Sequence, residues 1–140
     1  MINIVAIDHV VFRVRDVPAM LRFYEEVLGA KIERRLEEFG LYQIRAGNAL
    51  IDLVDVEGML GKEGGAAPGD DGRNVDHVCL QVLPWDAEAI LAHLVAHGIA
   101  DARISTRYGA QGFGPSVYIA DPEGNTIELK GPPDEPQPPA

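Results

Sequence analysis

The sequence predicts an α+β fold made of two βαβββ modules in tandem, and three observations lead to that expectation. Asp8-His9-Val10 recurs as Asp76-His77-Val78, sixty-eight residues later, each time followed by apolar-x-Val. Ile51-Asp52-Leu53 recurs in pattern as Ile127-Glu128-Leu129. Between the two copies, residues 57–74 hold six glycines and one proline without apolar periodicity, the composition of a mobile surface linker.

Each element has a local reason. The β-branched run Ile4 to Val14 reads as a strand, stopped by Asp16 as a helix N-cap with Pro18 in the first turn. Met20, Leu21, Phe23, Tyr24, Val27 and Leu28 recur at helical spacing, and Gly29 suits the left-handed position just past a helix end. Strands are expected over Lys31 to Glu38, Leu41 to Ala46 and Ala49 to Val54, separated by the turn signals Phe39-Gly40 and Gly47-Asn48. The second half repeats the order. A strand is expected over Val75 to Val82, a helix over Asp86 to His97 closed by Gly98, and strands over Ala102 to Thr106, Ser116 to Ala120 and Thr126 to Lys130. Asp121-Pro122-Glu123-Gly124-Asn125 punctuates the last pair. The expected organisation is one domain over 1–131, with module one at 4–56, the linker at 57–74 and module two at 75–131. A proline-rich tail over 132–140, five prolines in nine residues, is expected to be disordered.

Composition narrows the partners. A formal charge of −10 argues against nucleic acid, because duplex binding draws its affinity from Lys and Arg neutralising phosphates. No run approaches the roughly 18 apolar residues that span a bilayer, and Met1 to Phe12 lacks the features of a secretion signal, so no membrane partner and a cytoplasmic location are expected. Cys79 is the only cysteine, which excludes an intrachain disulfide and a zinc-thiolate cluster. A metal in this chain must be held by imidazole and carboxylate.

Strand parity then singles out four residues. Side chains alternate along a strand, so Val10, Phe12 and Val14 share one face while His9, Val11 and Arg13 share the other. Likewise His77, Cys79 and Gln81 turn away from Val78, Leu80 and Val82, and Asp52 and Glu128 turn away from their flanking Ile and Leu. A carboxylate on a sheet face is costly to bury unless it is paired or bound to a cation. Two imidazoles and two carboxylates, His9, Asp52, His77 and Glu128, suit a divalent ion such as Zn, Ni, Co, Mn or Fe(II), with room left for water.

The D-H-V strand, the F-Y-E-E-V-L-G helix end, the I-D-L and I-E-L strands and the D-P-E-G-N turn together resemble the vicinal oxygen chelate superfamily. That superfamily includes glyoxalases, bleomycin-resistance proteins and extradiol dioxygenases, and the resemblance covers residues 4 to 130. It implies paired βαβββ modules whose sheets curl around a metal, with ligands at the places filled by His9, Asp52, His77 and Glu128. A carboxylate at the second place is similar to the four-ligand glyoxalase I pattern, although an Asp stands where the longer Glu is usual. The segment from Gly109 to Ser116 looks closest to a glyoxalase-domain group with virulence-associated members.

The function so implied is a metal-dependent, glyoxalase-type lyase or isomerase acting on a small oxygen-chelating substrate such as a hemithioacetal, with a thiol cosubstrate. Glu128 is the expected base and Asp52 the second choice. The alternatives are Fe(II) extradiol ring cleavage and non-catalytic binding of a drug or metabolite. Arg13 and Gln81, on the histidine face, and Arg107, Tyr108 and Phe113, in a glycine-rich loop, are expected to line the substrate pocket. A homodimer is expected, because a module of about 60 residues buries little surface alone and exposes a sheet edge.

Overall fold

The structure, a computed structural model, describes residues 1–135. The chain divides into two compact units, Met1–Asn74 and Val75–Ala140. Among the described residues no helix is long and apolar enough to cross a membrane.

In the first unit, β1 (His9–Val14) leads into α1 (Val17–Arg22), followed by β2 (Lys31–Leu36), β3 (Leu41–Ala46) and β4 (Ala49–Asp55). Asp16 caps α1 as expected, its Oδ1 accepting from the Ala19 amide at 3.0 Å. The expected single helix is instead six residues of α-helix continued by a wider π-helical turn, Phe23–Val27, which the Leu28 amide closes on the Phe23 carbonyl. Gly29 then turns the chain at φ 66°, the left-handed value that favours glycine. The sheet order is β1-β4-β3-β2, with β1 parallel to β4 and the other pairs antiparallel. Phe12, Val14, Met20, Tyr24, Ile44, Ile51 and Leu53 form the buried core.

The second unit repeats this order with β5 (Val78–Gln81), α2 (Ala87–Ala96), β6 (Ser105–Gly109), β7 (Gly112–Ala120) and β8 (Thr126–Lys130). Its sheet runs β5-β8-β7-β6, again with the first and last strands parallel. Asp86 caps α2 through the Ala89 amide, and Leu94, Val117, Ile119, Ile127 and Leu129 are buried. The turn before β8 is held by the buried Asp121. Its Oδ1 accepts from the Glu123 and Asn125 amides and its Oδ2 from the Asn125 side chain, which is why that turn takes Asp and Asn at its ends.

Three further expectations are corrected. The first strand begins at His9 rather than Ile4: β4 starts at Ala49, so the sheet offers residues 4–8 no partner beyond one bond from the Leu50 amide to the Asp8 carbonyl. Residues 107–113 are not a loop, because β6 runs Ser105–Gly109 and β7 starts at Gly112, so a tight hairpin occupies that stretch. The linker is anchored rather than loose. The Arg13 guanidinium donates to the carbonyls of Gly61 (3.0 Å), Gly65 (2.8 Å) and Ala66 (3.3 Å), and the Asn74 side chain bonds the Arg13 amide and carbonyl. Of the proline-rich tail, residues 132–135 are described, the Asp134 amide donating to the Phe113 carbonyl of β7, and residues 136–140 lie outside the described part.

Arg13→Ala removes all three bonds to the linker carbonyls. We expect it to cost about 1–2 kcal/mol in urea unfolding, bonds from a charged donor being stronger than neutral ones but here only half-buried. Amide exchange across residues 57–74 should accelerate, and unchanged exchange there would show that Arg13 does not hold the linker.

Candidate metal centre

The parallel pairing of first and last strands brings a histidine strand beside a carboxylate strand in each unit. In the first, Val11 pairs with Asp52 and His9 with Leu50, so His9 and Asp52 are diagonal neighbours on one face. In the second, Cys79 pairs with Glu128. The equivalence read from the repeated letters is therefore an equivalence of register.

Asp52 is 4% exposed although it carries a carboxylate. Gln43, its cross-strand partner on β3, donates from Nε2 to Asp52 Oδ2 at 3.2 Å. Asp52 Oδ1 and Gln43 Oε1 are buried without a hydrogen-bond partner. His9 is half-exposed, with Nδ1 2.6 Å from Asp8 Oδ1. That bond chiefly, and the charge of Asp52 secondarily, raise the imidazole above its ordinary range against the effect of burial.

Glu128 is equally buried and far better satisfied. Ser116, itself fully buried, donates to its Oε2 at 2.7 Å, and His77 Nε2 lies 3.3 Å from its Oε1. Burial pushes this carboxyl up, but the donors Ser116, Tyr118 and Cys79 with the nearby His77 outweigh it and hold Glu128 below the usual carboxylate range. His77 Nδ1 is 2.6 Å from Asp76 Oδ2, a bond that leads the causes raising its pKa. Tyr118 pairs with Glu128 across the sheet, with its ring 5.7 Å from that of His77 and the Arg107 guanidinium 5.8 Å from its centroid.

Each histidine thus has Nδ1 engaged by the aspartate that precedes it, so that Nε2 is the ring nitrogen turned to other partners, which for His77 is Glu128 Oε1. This is the outer support that metal-binding histidines usually have. The doubled Asp-His dipeptide was the sequence signal for it. Among the described residues no group of three or more His, Cys, Asp and Glu side chains gathers as a cation site; each unit supplies one imidazole and one carboxylate.

The other expected residues divide by strand parity. Arg13 lies on the His9 face with its guanidinium committed to the linker, and Gln81, on the His77 face, pairs with Lys130. Arg107 shares the Glu128 face, because it pairs with Gly114, two residues from Ser116. Tyr108 and Phe113 pair with each other on the opposite face, rings 4.9 Å apart, so they do not line the side that holds Glu128. Sequence reasoning missed Gln43, Ser116 and Tyr118, which only the pairing of β3 with β4 and of β7 with β8 reveals.

Two curved four-stranded sheets of identical order, each with a His and a carboxylate on neighbouring strands, define a paired-module α+β protein. The chain belongs to the Glyoxalase/Bleomycin resistance protein/Dioxygenase superfamily, whose family model matches residues 6–129. It is 30% identical over 129 residues to virulence protein STM3117 of Salmonella typhimurium, spanning 88% of this chain and 81% of that protein. The crystal structure of that protein superposes with a TM-score of 0.72 at 28% identity, covering 94% of this chain and 99% of the other. An integron cassette protein of V. cholerae is similar at 27% identity and a TM-score of 0.69, covering 94% and 98%. Lactoylglutathione lyase of Agrobacterium tumefaciens, 20% identical with a TM-score of 0.64 over 92% and 95%, shares the fold.

Burial, then the negative charge of Glu128, pushes the Cys79 thiol up to about 11. The thiol should therefore stay protonated at neutral pH, and its alkylation by iodoacetamide should be at least roughly tenfold slower than in the unfolded chain, rising with pH toward that value. Glu128→Gln removes the charge and should speed the reaction. A native rate equal to the unfolded one would contradict this environment.

Proposed function

We propose that this chain is a metal-dependent enzyme of glyoxalase type, acting on a small oxygen-chelating substrate such as a hemithioacetal by proton transfer through an enediolate. The observation that carries the reading is the repeated His–carboxylate pair, above all Asp52, buried with an oxygen left bare. An orphaned buried carboxylate oxygen beside a supported imidazole fits a divalent cation, because the cation supplies the compensation the protein withholds. In this reading His9, Asp52, His77 and Glu128 hold the ion, from one chain or across two copies, and the ion supplies Lewis acidity toward substrate oxygens.

The remaining work falls to the chain's own groups. Glu128 is the proposed base. Ser116 fixes its Oε2, so Oε1 alone is turned toward His77 and the reacting side. Arg107, poised over Tyr118 on the same face, would face an anionic part of the substrate. The partner is proposed to be a second copy of this chain: Ile2, Ile4, Val5 and Ile7 are each more than 80% exposed, an apolar segment that pairing would cover.

Two measurements test this. With Ni(II), Co(II) or Zn(II) at saturation, Glu128→Gln should lower hemithioacetal turnover by ~10²- to 10⁴-fold while binding metal far better than it turns over, since a Gln keeps an oxygen but cannot take the proton. If Glu128→Gln stays near wild type and Asp52→Asn is dead, Asp52 is the base; if neither matters on any hemithioacetal or catechol, a binding protein replaces the enzyme. Light scattering should show a dimer at micromolar concentration that Ile4→Asp weakens, and a stable wild-type monomer would contradict the pairing.

A further inference from the structure

Within the first unit, Gln43 has a role that neither composition nor parity assigned. Its amide lies across the sheet from Asp52 and donates from Nε2 to Oδ2 at 3.2 Å. Turning the amide over would set Oε1 against the carboxylate, two acceptors facing each other, so the carboxylate itself fixes which end of the amide is which. The consequence is a pair of buried bare acceptors, Gln43 Oε1 and Asp52 Oδ1. Left bare, each carries an uncompensated cost of desolvation. One hydrogen bond between the two side chains does not offset that.

The equivalent place in the second unit shows that the fold does not require this. There Tyr118 occupies the position opposite the carboxylate, Ser116 donates to Glu128 Oε2, and neither Glu128 oxygen is left bare. The two units share topology and register, so the deficit in the first belongs to its side chains. Bare oxygens, one anionic and one amide, with the His9 imidazole on the same face, make a hard oxygen-and-nitrogen donor set of the kind divalent first-row ions take.

We propose that Gln43 Oε1 is a further donor to the divalent ion, so that the first unit contributes three donors, His9 Nε2, Asp52 Oδ1 and Gln43 Oε1. This rests on the metal reading above and extends it to a residue outside the four. It also assigns Gln43 two jobs with its two ends: Nε2 holds Asp52 in place, and Oε1 faces the cation.

The test is Co(II) titration of the full chain, read by affinity and by the visible d–d spectrum, with no turnover required. Gln43→Leu should weaken Co(II) binding roughly tenfold and alter the spectrum, and should weaken it again in an Asp52→Ala background. Gln43→Ile, a β-branched residue suited to a strand, should lose affinity in the same way and so reports even if the Leu variant folds poorly. Wild-type uptake with an unchanged Gln43→Leu, or an effect that vanishes when Asp52 is absent, overturns the role of Oε1 and leaves the metal reading standing. A Gln43→Ile variant that binds as tightly as wild type overturns it as well. No Co(II) uptake by the wild type overturns both together.

Discussion

The arrangement depends on the cost of holding an ionised carboxylate against the face of a small sheet. Asp52 and Glu128 sit between core residues of the last strand in each unit, where desolvation opposes their charge. The second unit offsets that cost internally, through Ser116, Tyr118, Cys79 and His77. The first does so only by half, through Gln43. The two copies of one motif therefore differ, the carboxylate of the second unit being fully bonded within the protein and that of the first retaining a bare oxygen.

That asymmetry connects fold to chemistry. Parallel pairing of the first and last strands is what sets a histidine beside a carboxylate, and it arises in both sheets from the same order of elements. Asp8 and Asp76 engage Nδ1 of the two imidazoles, and Nε2 of His77 turns to Glu128 Oε1. Glu128, ringed by donors, is held in its charged form. Asp52 is as deeply buried and has one oxygen without a partner.

Much of this was legible in the letters, and the exceptions have physical causes. Alternation placed His9, Asp52, His77 and Glu128 on the faces where they lie, because burial of Ile51, Leu53, Ile127 and Leu129 allows only one register. Ile4, Val5 and Ile7 have strand propensity but fall outside the sheet, since propensity does not supply a hydrogen-bonding neighbour. The glycines from 109 to 114 suggested a loop, yet they are tolerated in a hairpin because neighbours occupy their side-chain space. A Cβ on Gly109 would meet the Lys130 side chain at 2.7 Å, and one on Gly114 the Pro132 carbonyl oxygen at 2.6 Å. Gln43 and Ser116 were invisible because their importance lies in the strand opposite, and only the structure gives that pairing.

Belonging to a superfamily of several chemistries leaves the reaction to the site, so the account is decided by whether the two half-sites act as one. Native mass spectrometry of the protein loaded with Co(II), for wild type, His9→Ala and His77→Ala, tests this most directly. The account predicts one ion per chain in the wild type and loss of that ion when either histidine is removed. Two ions per chain, or an ion that survives the loss of either histidine, would mean that the units bind separately and would contradict a shared centre.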